Sequence, residues 1–424
     1  MLRIRRFTLL ALPALLASCS PTSESIQATA FAGATVWDGT GAPPRPATTL
    51  LVSDGRILGV MPDGAIPDGV DVVERVDLSG RWVIPGMINT HGHVSGLWAD
   101  DAIDDPAARV RGDLELYAAY GVTTVASLGD DATVIAVRDG STSLDPRARL
   151  LVAGPVVTDF DPDAARATAR ANADASVDWL KLRVDDNLGT TEKMPWAAVQ
   201  AVMDVGAERG IPVSTHVFYL EDAKRLLDMG SGMIAHSVRD TPVDDAFVAR
   251  LRETGVCYVP TLTREVSTFV YADRPDFFYD PFFTERAHPG QLALASDPTF
   301  VSRMSASPMA AGYRVALEQA MQNLKTLSQA GIPVAMGTDS GPAARFPGYF
   351  EHMELWMMVD AGLTPAQALT SATSTAAACL GLDDVGTLRA GGWADFLVLG
   401  EDPLADIHAT RSLERVYVAG TAVR

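Results

Sequence analysis

The chain has 424 residues, 47% of them hydrophobic, and a formal charge of -19. That supplies a large core and fits a single barrel-type domain with insertions. The acidic balance argues against nucleic acid and polybasic membrane contact, and only three cysteines exclude a disulfide-stapled scaffold.

The first 18 residues read as an export signal. Arg3, Arg5 and Arg6 precede an apolar run from Phe7 to Ala17, which is too short to span a bilayer well. Leu16-Ala17-Ser18-Cys19 resembles a bacterial lipobox, so Cys19 is expected to be lipidated and to start the mature chain. Ser20 after it favours the outer membrane; an ordinary secretory signal is the alternative. The expected location is the periplasmic face of a membrane, or the periplasm. Cys257 and Cys379 sit in apolar stretches and read as buried small hydrophobes.

From Ser20 to Thr29 the chain is polar. Short β-type runs follow (Ala34–Trp37, Leu50–Val52, Arg56–Val60), punctuated by Asp38-Gly39, Asp54-Gly55 and Asp63-Gly64. The C-terminus is similar, with Phe396–Leu399 and Val416–Val418. These ends predict one small β-sandwich built from both termini. Between them, apolar strands alternate with amphipathic helices, the pattern of a parallel sheet. Eight strands are predicted: Met87–His93, Gly121–Ser127, Arg149–Ala153, Trp179–Val184, Ile211–His216, Gly232–His236, Val256–Pro260 and Pro333–Asp339. Eight such units favour an α/β fold of the (β/α)8 TIM barrel type over an open doubly wound sheet. The expected division is a signal over 1–18, sandwich over 19–84 and 376–424, and barrel over 85–375. Residues 261–332, rich in aromatics at their start, are expected to form a lid.

Four of the seven histidines fall at C-terminal ends of predicted strands, which meet at one face of a barrel. His91 and His93 are two apart on a strand, so both imidazoles point the same way. Lys181 lies in the apolar run Trp179-Leu180-Lys181-Leu182, where an unpaired ammonium is costly and its pKa must fall. A neutral lysine can add carbon dioxide, and the resulting carbamate has two oxygens with which to bridge two cations. His216, His236 and Asp339 each close a strand at the same mouth. Nitrogen and carboxylate ligands around open positions suit two divalent ions, zinc above all.

With these residues in hand, the chain resembles the amidohydrolase superfamily over nearly everything after residue 30. The resemblance rests on Trp37-Asp38-Gly39-Thr40-Gly41, on Val83-Ile84-Pro85-Gly86 with His91-Gly92-His93, and on Gly391–Leu399 with Asp402-Pro403-Leu404. It is nearest to the imidazolonepropionase-like and zinc-dependent prolidase-like branch, whose binuclear members carry a carboxylated lysine. The resemblance implies that His91, His93 and Asp339 hold the more buried ion and His216 and His236 the more exposed one. Carboxylated Lys181 would bridge them. It also implies substrate contacts at Tyr219, which would replace a tyrosine the family places one residue earlier, and at His352. Arg183, where relatives carry an uncharged residue, is expected to anchor a substrate carboxylate or to pair with Asp185.

The expected reaction is hydrolysis of an amide in a dipeptide or N-acyl amino acid. Two cations lower the pKa of a bridging water, and Asp339 carries the proton from it to the leaving group. Lactone hydrolysis and deamination of a heterocycle are rivals using the same ligands. A non-catalytic relative and a solute-binding lipoprotein are rivals of another class. The expected partner is a small-molecule substrate, with membrane attachment only through the N-terminal lipid; homo-oligomerisation is left open.

Overall fold

The computed structural model describes residues 25–424; the predicted signal and Cys19 lie outside the described residues. Both ends of the chain contribute to one eight-stranded sheet. Its strands are β1 (Ile26–Val36), β2 (Arg45–Ser53), β3 (Arg56–Pro62), β4 (Val70–Asp77) and β5 (Trp82–Pro85) from the first part of the chain. The last part adds three more.

The middle strands are β6 (Met87–Gly92), β7 (Val122–Ser127), β8 (Arg149–Val152), β9 (Leu180–Arg183), β10 (Val213–His216), β11 (Met233–Ala235) and β12 (Cys257–Val259). Then come β13 (Phe396–Leu399), β14 (Leu413–Val418) and β15 (Thr421–Ala422). The terminal sheet runs β15-β14-β13-β5-β1-β2-β3, with β4 also paired to β1. It is held by Phe31, Phe396 and Tyr417, whose rings lie 4.5–5.0 Å apart. Asp54 and Gly55, predicted as a turn, both take positive φ between β2 and β3, the geometry of a tight hairpin.

The middle strands pair in parallel as β6-β7-β8 and as β9-β10-β11-β12. Single bridges join Val157 to Leu182 and Tyr258 to Val334. The eighth predicted strand is therefore irregular. Its backbone nevertheless bonds on both sides: Ala335 N donates to Tyr258 O at 3.0 Å, and Thr90 N donates to Met336 O at 3.0 Å. Asp339, at φ 57°, breaks the extended run. Thr338 N and Asp339 N both donate to His91 O, at 3.1 and 2.7 Å. The break thus ties the end of this segment directly to the end of β6.

Residues 261–332 hold five α-helices and two 3-10 turns. Most of their aromatic residues turn inward: Tyr271, Phe278, Phe282 and Phe283 are buried while Tyr279 is exposed, and Phe277 and Phe283 pack on Phe346, Tyr349 and Phe350. Cys257 and Cys379 are not free apolar residues as expected. They form a disulfide with Cα atoms 5.8 Å apart, tying β12 to helix Ser374–Leu380. Among the described residues no helix is long and apolar enough to cross a membrane.

Candidate metal centre

His91 and His93 leave the end of β6 toward the segment that follows it in space, Pro333–Ser340. His93 Nε2 lies 2.7 Å from Asp339 Oδ1, and His91 Nε2 lies 3.6 Å from the same oxygen. Ligand atoms of these three side chains all fall within 4.8 Å of one another. Glycine at 341 makes this approach feasible. Its φ is +111°, and a Cβ there would overlap the His93 carbonyl.

Lys181, inward-facing on β9, places Nζ 3.3 Å from His91 Nε2. Desolvation brings its ammonium down to about 7, so near neutral pH much of it is the free amine. The His236 ring stands 4.5 Å from that of His91 and 4.0 Å from that of His216. All six residues predicted as ligands thus meet in one contiguous cluster. Burial lowers His216 to about 3 and drives His91 and His236 well below the usual imidazole range. Burial pushes the Asp339 carboxyl up, but Arg345 and His93 outweigh it and hold the group well below the carboxylate range. The cluster therefore presents neutral imidazoles at His91, His216 and His236, an amine that is partly neutral near pH 7, and one carboxylate. These are the protonation states that bind metal, so the donor set fits divalent ions.

Outer groups hold these side chains in place. His216 Nε2 lies 2.7 Å from Asp185 Oδ2, and His236 Nδ1 lies 2.7 Å from Thr261 Oγ1. Buried Glu351 accepts from Asn89 Nδ2 at 2.6 Å, Ser340 Oγ at 2.6 Å and Thr338 Oγ1 at 2.8 Å, which joins the β6 segment to the Asp339 segment. Glu354 accepts from Leu262 N, Thr263 N and Thr263 Oγ1, fixing the chain just after Thr261.

The three expected substrate contacts fare differently from the ligands. Arg183 is half-committed: it donates to Asn187 Oδ1 and lies 4.0 Å from Asp185 Oδ2. Tyr219 donates to Asp186 Oδ1 at 2.8 Å, with Lys193 Nζ 3.7 Å above its ring. His352 is fully buried, its Nε2 is 2.8 Å from Tyr120 O, and its ring packs on Phe282. His288 caps helix Pro289–Ser296. Sequence reasoning passed over Thr261 and Arg345 and named Asp185 only as a partner for Arg183. Asp185 was the most legible, because Lys181, Arg183 and Asp185 follow the two-residue period of an inward strand face. Arg345 lies in a loop and gave no periodic signal.

The sequence model described as the Amidohydrolase family matches residues 82–423. An imidazolonepropionase from Deinococcus radiodurans is 27% identical over 391 residues, covering 88% of this chain and 90% of that one. A Bifidobacterium longum structure assigned as a prolidase is 26% identical, with a TM-score of 0.74 over 94% of this chain and 95% of that one. A Xaa-Pro dipeptidase structure with methionine in its active site shares the fold at 20% identity. Its TM-score is 0.71, over 93% of this chain and 99% of that one.

Proposed function

We propose, from the premise that this chain belongs to the amidohydrolase family, that it is a metal-dependent hydrolase cleaving the C–N bond of a dipeptide or N-acyl amino acid. The observation that carries this is the meeting of His91, His93 and Asp339 with Lys181 Nζ 3.3 Å from His91. His91, His93 and Asp339 would hold one divalent ion and His216 and His236 a second, with Lys181 as a carbamate shared between them. Two such ions, zinc by ligand type, supply Lewis acidity and a water of lowered pKa when bound. Asp339 is the proton carrier: it is the one carboxylate in the ligand cluster, and it is ionised there. Its Oδ1 faces both β6 histidines, so a proton accepted at Asp339 can pass to a leaving nitrogen at the same place.

The two parallel sheets and the bridging segment read best as one closed (β/α)8 barrel over 85–375, with both termini forming a sandwich over 19–84 and 376–424. The parallel bridges at Val157 and Val334 support closure. Residues 261–332 would cover the mouth, and Tyr219 and Arg183 stand as candidate substrate contacts near it. Export with a lipid at Cys19 is the proposed location. The Cys257–Cys379 disulfide supports an oxidising compartment. A second reading, opening of a cyclic amide, is favoured by the imidazolonepropionase relative.

The test is hydrolysis by the zinc-loaded mature protein of a panel of dipeptides, N-acyl amino acids, lactones and cyclic ureides, with Asp339→Asn as control. Activity confined to amides bearing a free carboxylate, and lost in a folded Asp339→Asn, supports the reading. Turnover of neutral lactones or ureides instead rejects the substrate class. Wild-type turnover in Asp339→Asn rejects the role of Asp339.

A further inference from the structure

Arg345 follows the Asp339 segment in the loop that leads to helix Tyr349–Asp360. Its Nη1 donates to Asp339 Oδ2, and its Nε donates to Ser267 Oγ at 3.1 Å. Ser267 Oγ in turn donates to Arg264 O at 2.6 Å, and the Tyr271 hydroxyl donates to Ala344 O beside Arg345. The guanidinium is thus held from two sides at the reaction centre, yet its side chain keeps 21% exposure. It is the most exposed member of that ion pair, since Asp339 retains 10%.

A guanidinium is never neutral in a protein and always wants an anion. Its partner here is Asp339, the carboxylate that would bind a metal ion, so a bound cation would compete with the guanidinium for that charge. Behind it, Arg239 and Arg264, both buried, share the carboxylate of Glu265 at 3.1 and 3.0 Å. Asp185 also acts on Arg239, and Asp339 acts on Arg264 as well as on Arg345. Arginine forks match planar carboxylates with two parallel hydrogen bonds.

We propose that Arg345 is the specificity-determining residue that binds a carboxylate on the substrate, in place of Arg183. This rests on the amide-hydrolase reading and names the group its substrate must carry. Arg183, 35% exposed, is held by Asn187 and stands 4.0 Å from Asp185, groups outside the proposed ligand set, whereas Arg345 is engaged by Asp339, a group the chemistry needs elsewhere.

The experiment is calorimetric binding to the zinc-loaded mature protein of N-methanesulfonyl-L-leucine and of the neutral N-methanesulfonyl-L-leucinol. Neither has a hydrolysable amide, and they differ only in the carboxylate. Native protein should prefer the acid by about tenfold or more, the scale of a charge-assisted pair. Arg345→Met should collapse that preference with zinc content unchanged, Arg345→Lys should keep part of it, and Arg183→Met should retain it. The proposal is overturned if native protein shows no preference, if Arg345→Met keeps it, or if Arg345→Met sheds zinc, which would make Arg345 a tether for Asp339. Failure of the amide-hydrolase reading shows separately, as absence of turnover in the substrate panel while the acid preference still tracks Arg345.

Discussion

Lys181 should make the stability of the metal-free protein depend on pH in a defined window. In the unfolded chain its ammonium titrates near 10.5, and in the folded protein burial brings it to about 7. Between those values the unfolded chain binds the extra proton, so folding stability rises with pH. The penalty is full below pH 7, about 5 kcal/mol for the whole shift, and vanishes above 10.5. From pH 7 to 9 the native protein should gain about 2 kcal/mol relative to Lys181→Met. At pH 8 the same shift leaves roughly nine-tenths of the amine free, against about 0.3% at an ordinary lysine. Carbon dioxide then has a nucleophile about 300-fold more abundant. The assay is urea unfolding of both proteins, stripped of metal and bicarbonate, at several pH values. With 13C-bicarbonate restored, a carbamate resonance should appear in native protein alone. A native-minus-variant difference that stays constant from pH 7 to 9 would refute the argument, because it would mean that Lys181 titrates as a solvated lysine.

Glu354, buried and pushed up to about 7 by desolvation, should act with the opposite sign: its stabilisation is greatest below 4.5 and declines by about 3 kcal/mol as pH rises to 7. Unfolding free energies of native protein and Glu354→Gln across that range should diverge by this amount, and parallel curves would count against it. Replacing both Cys257 and Cys379 by alanine opens a loop of 122 residues in sequence separation, which on chain entropy costs about 5 kcal/mol; an unchanged urea midpoint would show that the bond contributes nothing. Gly341→Ala meets both an unfavourable φ and the His93 carbonyl. It should lower stability by roughly 2 kcal/mol or more and impair zinc retention, and a variant with native melting and native zinc content would contradict the packing described.

The meeting of the proposed ligand side chains was legible because strand periodicity is short and strict. His91 and His93 at i and i+2, and Lys181 within an apolar run, could point only one way once the strands were assigned. The eighth strand was legible in place but not in form: the left-handed Asp339 turns an extended run into a knot of bonds around His91, and no propensity records that. The burial of His352 was not legible, because helix Tyr349–Asp360 is buried over most of its surface, with Glu351, His352 and Glu354 all at 0% exposure and a narrow stripe of Met353, Met357 and Asp360 facing outward. Cys257 and Cys379 could not be paired by reading, since proximity across that sequence distance is a product of the fold itself. Arg345 sits in a loop where neither the two-residue nor the 3.6-residue period applies.

The outer groups matter as much as the ligands, because they decide which nitrogen each histidine can offer. Burial alone would raise the Asp185 carboxyl, but its bond to His216 holds it far below the usual range, so it is ionised and can only accept. His216 Nε2 must then carry the proton, leaving Nδ1 as the lone pair. Thr261 occupies Nδ1 of His236, leaving Nε2 free. Two histidines on adjacent strands, with rings 4.0 Å apart, are thereby set to present opposite nitrogens. β10 and β11 run in register with His216 opposite Ala235, so His236 stands one residue further along its strand. Its φ of 74° turns the chain there. Neither Asp185 nor Thr261 belongs to the proposed ligand set. Yet an alanine at either position would leave all six proposed ligands in the sequence while removing what orients His216 or His236, so the identity of the proposed ligands alone is an incomplete description of this cluster.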